Sequence, residues 1–374
     1  MNRTYKKISM AIGFALLSSS LLAQIPFEVK GKMEGLATES VYLFTIANKK
    51  EVLLQKTLMQ NGEFSFKGTI QAPELCNIRI GSHKFPIKYF FLDKGTTTYA
   101  NSFDKEKGRP LVPTISGNKS QDLLNAYQNE ERTIDDSLRS LRGLLYNKKE
   151  SLTQDEVAAI NVKMDNLYTK AEMLQYATIS KLSNSMVAPY IISNSLLYGS
   201  SSAELKKYYK NFSPDIQRAT ISKEILDYAT RLEKVDVGAT VPNISLKTID
   251  GQDFELASLK GKVYIIDFWA SWCGPCRKEN PSMVALYNDY HPKGLEMVGI
   301  SLDKTHKAWK EAVEKDNLTW THISDLKYWN SDAAKLFVVS AVPLTILVDQ
   351  NGKIVARGLH GKALREAVEN LLAK

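Results

Sequence analysis

The sequence predicts a multidomain chain: an N-terminal β-sandwich, a helical middle region and a C-terminal α/β domain. Three observations carry this. Up to about Phe103 the chain reads as short strands separated by turns. The period then becomes helical, and from Gly238 the rhythm is strand, helix, strand. A length of 374 residues leaves room for two or three such domains. The expected boundaries are a leader at 1–23, the sandwich module at 24–115, the helical region at 116–235 and the α/β domain at 236–374.

The leader comes first. Arg3, Lys6 and Lys7 precede an apolar run over residues 8–23 that ends on Ala23. A basic flank, an apolar centre and a small final residue describe a cleaved secretory signal. The run contains Ser18, Ser19 and Ser20 and is short for a membrane span of about 20 residues, so an uncleaved anchor is the weaker reading. The first cysteine is Cys76, which excludes a lipoprotein cleavage site at the leader. The expected location is a bacterial periplasm, a compartment that tolerates disulfides. Hydrophobic residues at 44% and charged residues at 24% exclude wholesale disorder and collagen-like structure. The net charge of +8, about +5 without the leader, is scattered, so no nucleic-acid footprint is expected.

In the sandwich module, residues 41–46 and 51–54 are rich in strand formers. Asn61-Gly62 between 57–59 and 64–66 is a strong hairpin signal, and 77–80, 87–92 and 96–99 are further strands. In the helical region, Leu123, Leu124, Tyr127, Ile134, Leu138, Leu141 and Leu145 fall near one face of a first helix. Both Ser151…Gln154 and Thr153…Glu156 fit a capping box opening a second helix. Ser213-Pro214-Asp215 opens a third, running through Ile221 and Leu232. The region reads as a helical spacer or a homodimer surface without catalytic residues. In the α/β domain, 262–269 is a nearly continuous apolar run, as a central buried strand requires. Helices are expected over 276–290, 305–315 and 362–374. The strands should be 295–301, 344–348 and 353–357, after a hairpin around Asp250-Gly251.

Chemistry concentrates at Trp272-Cys273-Gly274-Pro275-Cys276, between the buried strand and the helix. A cysteine at a helix N-terminus meets unpaired backbone N–H groups and the positive end of the helix dipole, which favour thiolate. Thiolate attacks disulfides, forms a mixed disulfide, and a neighbouring cysteine resolves it. Cys273 is therefore read as nucleophile and Cys276 as resolver. Two rival readings are weighed. A structural zinc site needs a second ligand pair, and neither Cys76 nor His291, His306 and His322 supplies the spacing. A structural disulfide closing so short a loop stabilises little. Cys76 is read as a buried free thiol. No metal and no cofactor are expected.

The segment from Asp267 through Cys273-Gly274-Pro275-Cys276 to Arg277-Lys278-Glu279-Asn280-Pro281 resembles the active-site segment of the thioredoxin superfamily. It is similar in particular to the exported TlpA/ResA-like thiol–disulfide oxidoreductases. The tail after Cys276, the entry Gly238-Ala239-Thr240-Val241-Pro242, and the 70 residues from Cys273 to Pro343 favour that branch. The resemblance spans about 237–374 and implies a thioredoxin fold with an extra strand–helix insert. The front region more loosely resembles a β-rich module of unassigned function often joined to such domains.

The resemblance implies further roles. Pro343 is the family's cis proline facing the cysteine pair, with the backbone of Val342 open to a substrate strand. Asp267 matches thioredoxin's buried acid; burial raises such a carboxyl's pKa and fits it to take the resolving thiol's proton. Many members of the branch carry another residue there. Glu279, one helical turn after Cys276, sits where the branch often carries an acid that tunes the thiols. Trp272 is read as a flat contact for partners and Trp269 as structural.

The Gly274-Pro275 pair is thioredoxin's, whose potential of about −270 mV makes it a reductant. The expected activity is reduction of disulfides in exported proteins, with apocytochrome c as one client that the ResA resemblance suggests. A membrane thiol donor would recharge the protein. Two alternatives are carried. A thiol peroxidase would use a lone cysteine in a Pro-x-x-x-Thr-x-x-Cys setting, which is missing here. The other is a scaffold or binding protein with secondary redox activity.

Overall fold

The computed structural model describes residues 24–82, 88–104, 106, 109–147 and 151–373. The leader at 1–23 therefore lies outside the described residues, as does Ile87 of an expected strand. Among the described residues no helix is long and apolar enough to cross a membrane.

The front module is built from β1 (Ile25–Glu34), β2 (Ser40–Ala47), β3 (Lys50–Leu58), β4 (Glu63–Ile70), β5 (Glu74–Ile80), β6 (Phe90–Leu92), β7 (Gly95–Asp104), β8 (Arg109–Pro110) and β9 (Thr114–Ser116). One sheet runs β4-β1-β7-β8 with β9 on β7, and the other runs β3-β2-β5-β6. The alternation of strand side chains places Val29, Met33, Val41, Leu43, Phe66, Ile80 and Tyr99 in one core between the sheets. Cys76 is a free thiol buried in that core, and burial holds its pKa well above the ordinary value.

The Asn61-Gly62 signal gives a turn but not the expected hairpin. Both residues take positive φ, 52° and 79°, and Gln60 bridges Glu63. Strands β3 and β4 then diverge into opposite sheets. The cause lies in what each strand buries. Met59, Phe64 and Phe66 turn into the core, while Val52, Leu53 and Leu58 of edge strand β3 stay exposed.

The middle region holds α1 (Lys119–Asn147), α2 (Gln154–Lys181), α3 (Val187–Ile191), α4 (Ser202–Asn211), α5 (Pro214–Arg218) and α6 (Thr220–Leu232). Of the two candidate capping boxes, Thr153 with Glu156 forms and opens α2. A second box, Ser201 with Glu204, opens α4, a helix not among those expected. The single helix expected from Ser213 through Leu232 is two. Ala219 takes an extended ψ of 141° and breaks it, so that Ile216 and Ile221 both reach the core.

The spacer reading is also corrected. Leu205, Ile225, Leu232 and Val235 share one continuous core with Leu256, Ile266, Phe268 and Phe337 of the C-terminal domain. A spacer would keep its own core; this region is packed onto the domain that follows.

The C-terminal domain comprises β10 (Ser245–Thr248), β11 (Asp253–Glu255), β12 (Val263–Trp269), α7 (Gly274–Tyr290), β13 (Leu295–Ser301), α8 (His306–Lys315), β14 (Thr321–Ser324), α9 (Asp332–Leu336), β15 (Leu344–Val348), β16 (Ile354–Arg357) and α10 (Gly361–Leu372). The sheet order is β11-β10-β14-β13-β12-β15-β16. Strands β12, β13 and β14 run parallel, and β15 runs antiparallel to β12. All seven residues of β12 are buried, the pattern of a strand covered on both faces. This is a thioredoxin fold, and α8 with β14 forms the insert between β13 and α9.

Candidate active site

Strand β12 delivers the chain to the sheet's C-terminal end, and α7 leaves from there. Cys273 is the N-cap of α7 with extended backbone (φ −83°, ψ 99°), and Pro275 occupies the first turn, where a missing N–H costs nothing. The Cys273 sulfur accepts a hydrogen bond from the Cys276 backbone N–H at 3.2 Å. Cys273 and Cys276 are joined as a disulfide. Both are nearly buried, Cys273 at 4% exposure.

The Val342–Pro343 bond is cis, and the Val342 carbonyl oxygen lies 3.7 Å from the Cys273 sulfur. The expected trio of Cys273, Val342 and Pro343 therefore meets at one point, although 70 residues separate its ends. Trp272 is 45% exposed, its ring against Tyr328 (5.1 Å) and Trp329 (6.1 Å). Trp269 is fully buried.

Asp267 is buried within β12 between Gly299 and Thr345 on the flanking strands. Burial raises its pKa to about 7, and the charge of Glu279 adds to the rise. Glu279 also reaches across to α10. Its carboxylate lies 3.0 Å from His360 Nδ1 and accepts from the Gly361 N–H at 3.3 Å, at the start of α10.

Three groups that sequence reasoning missed hold this arrangement. Buried Asp303 accepts from the Ser271 N–H at 3.0 Å, and its carboxylate also takes the Ser271 and Ser301 hydroxyls, fixing the loop before Cys273. Asp316 accepts from Nε and Nη2 of the Arg277 guanidinium and from Asn280 Nδ2 at 2.6 Å. Arg277 Nη1 donates onward to the Ser271 carbonyl at 3.1 Å. His360, through Glu279, ties α10 to α7. Each is an isolated acid or histidine in sequence, and only the fold brings it to its partner. Beneath the site, His322 is buried against Trp269 and Trp320, and burial pushes its pKa down to about 3. Among the described residues no cluster of three or more His, Cys, Asp and Glu fits a metal ion.

A thioredoxin fold with a cysteine pair capping the helix after the central strand, opposite a cis proline, defines a dithiol–disulfide exchange enzyme. A family model described as AhpC/TSA matches residues 237–357, and one described as a domain of unknown function, DUF4369, matches 27–124. Thiol-disulfide oxidoreductase ResA of Bacillus thuringiensis subsp. konkukian (strain 97-27) is 33% identical over 147 residues, which are 39% of this chain and 83% of the relative. ResA of Bacillus anthracis is 33% identical over 142 residues, 38% of this chain and 80% of that one. A solved thiol-disulfide oxidoreductase from Bacteroides fragilis NCTC 9343 aligns at 33% identity with a TM-score of 0.34, covering 35% of this chain and 98% of that one. Through its C-terminal domain the chain belongs to the ResA-like thiol–disulfide oxidoreductases.

Proposed function

We propose that the protein is an exported reductase that opens disulfides in other exported proteins by dithiol exchange. One observation carries the reading: the Cys273 sulfur sits at the α7 N-terminus, hydrogen-bonded by the Cys276 N–H and beside the Val342 carbonyl. The helix end favours thiolate at Cys273, and the Val342 backbone offers a place for the client.

In the reduced protein the Cys273 thiolate attacks one client sulfur. An S–S bond forms to Cys273, and the other client sulfur leaves as thiolate and takes a proton. Cys276 then gives its proton to the Asp267 carboxylate and attacks the Cys273 sulfur; the bond from Cys273 to the client breaks, and the second client sulfur leaves as thiolate and takes a proton from water. The client gains two electrons and the protein is left as the disulfide. A membrane thiol donor restores the pair. Export rests on the basic and apolar leader, and apocytochrome c is one client class that the ResA likeness suggests.

Equilibration of the Cys273–Cys276 couple with glutathione tests the direction. A potential near about −270 mV fits a reductant, and one near about −120 mV reverses the assignment to oxidant. Trapping with Cys276→Ser in the native periplasm recovers clients as mixed disulfides. The alternative reading is a thiol peroxidase. Peroxide consumption exceeding disulfide reduction would select it.

A further inference from the structure

The helical region does more than pack on the C-terminal domain: it walls a groove along the loop that carries Pro343, the cis proline whose neighbour Val342 lies beside Cys273. A cleft of ≈ 460 Å³ has Pro343 and Ala341 on one side and Tyr198, Ser200 and Ser201, from the segment joining α3 to α4, on the other. A second cleft of ≈ 340 Å³ continues it past Ser340 to Trp329, the ring beside Trp272. Tyr198, Tyr228 and Ser340 line both clefts, so the two form one channel along residues 338–344.

The loop on its floor is held in place. Arg357 Nη2 donates to the carbonyls of Phe337 at 2.8 Å and Val338 at 3.2 Å. The Tyr228 hydroxyl of α6 is hydrogen-bonded to the Ser340 side chain. Ser340 and Ala341 are exposed, and residues 340–342 lie outside the sheet ladders, because β15 begins only at Leu344. On the far wall Tyr198 stands half exposed, its ring edge on Tyr228 at 5.7 Å and its hydroxyl taking a hydrogen bond from Lys49 Nζ at 2.9 Å. Lys49 belongs to the turn between β2 and β3, so all three regions of the chain meet at this groove.

We infer that this groove binds the disulfide-bearing segment of a client polypeptide in extended form, and that the Tyr198 wall selects polypeptides over small disulfides. Three features point to that occupant. The Val342 carbonyl lies 3.7 Å from the Cys273 sulfur, so a chain laid along the loop brings its disulfide to Cys273. The floor offers backbone at 340–342 that lies outside the sheet ladders, which a client chain can pair with. The walls present aromatic faces and hydroxyls, which suit side chains of an unfolded segment. A small disulfide needs none of these contacts. The inference rests on the dithiol-exchange reading above.

The test uses the full, pre-reduced protein and two substrates, insulin and the small aromatic disulfide DTNB. Tyr198→Ala removes the wall. Gly199→Trp fills the groove, and space is open at that position, where an added Cβ meets nothing nearer than 4.0 Å. Each variant is expected to lower the insulin rate at least tenfold relative to the DTNB rate, which serves as an internal control on fold and thiol chemistry. An unchanged insulin-to-DTNB ratio in both variants, with active wild type, overturns the groove alone. Wild-type protein inert toward both substrates overturns the dithiol reading and the groove with it.

Discussion

Replacing Asp267 with Asn keeps the shape of the side chain and removes its titration. In the folded protein Asp267 ionises at about 7 against an ordinary 3.8, because burial and the Glu279 charge oppose its anion. Between those values the folded state holds a proton that the unfolded chain has released. Stability therefore falls as pH rises from about 4 to about 7 and is flat above. From pH 5 to 8 this covers about two units of pH, and at about 1.36 kcal/mol per unit it amounts to about 3 kcal/mol. The Asn variant lacks that slope. All five tryptophans, from Trp269 to Trp329, lie in the C-terminal domain, so fluorescence in urea follows that domain's unfolding. Relative to wild type, the variant should gain about 3 kcal/mol between pH 5 and pH 8. Equal pH dependence in the two proteins would refute the reasoning, since it would mean that Asp267 titrates as a solvated carboxylate.

His322 works with the opposite sign. Its folded pKa of about 3 lies below an unfolded 6.5, so it removes stability as pH falls from 6.5 toward 3. In His322→Leu that acid loss should shrink by about 4–5 kcal/mol in the same urea measurement. Glu279→Gln removes a charge that raises the Asp267 pKa, so the pH at which the stability curve levels off should move below 7. Asp316→Ala leaves Arg277 and buried Asn280 without their shared acceptor and should cost about 2 kcal/mol by urea midpoint. A cost near zero would show that Asp316 does not anchor α7.

How much was legible follows from how local each feature is. The cysteine pair, its helix cap and the apolar run of β12 are encoded within a dozen residues, and they appear where the sequence puts them. Pro343 is distant, and only the family resemblance tied it to Cys273; nothing in its own neighbours does so. Asp303, Asp316 and His360 stayed hidden because a single charged residue carries no periodicity, and its partner lies up to 81 residues away in sequence. The Asn61-Gly62 turn formed, yet turn chemistry fixes two dihedral pairs and does not decide which sheet the next strand joins. The break at Ala219 was invisible because alanine favours helix; burial of Ile216 and Ile221 overrides that preference. The helical region looked featureless because Tyr198 and Tyr228 acquire meaning only against Ser340, in another domain.

The central claim is that Cys273 is the exchanging sulfur, and alkylation of the reduced native protein measures it most directly. With limiting iodoacetamide at neutral pH, mass spectrometry should find Cys273 labelled first, with Cys276 and the buried Cys76 modified at speed only after unfolding. Labelling of Cys273 no faster than that of Cys76 would contradict the account.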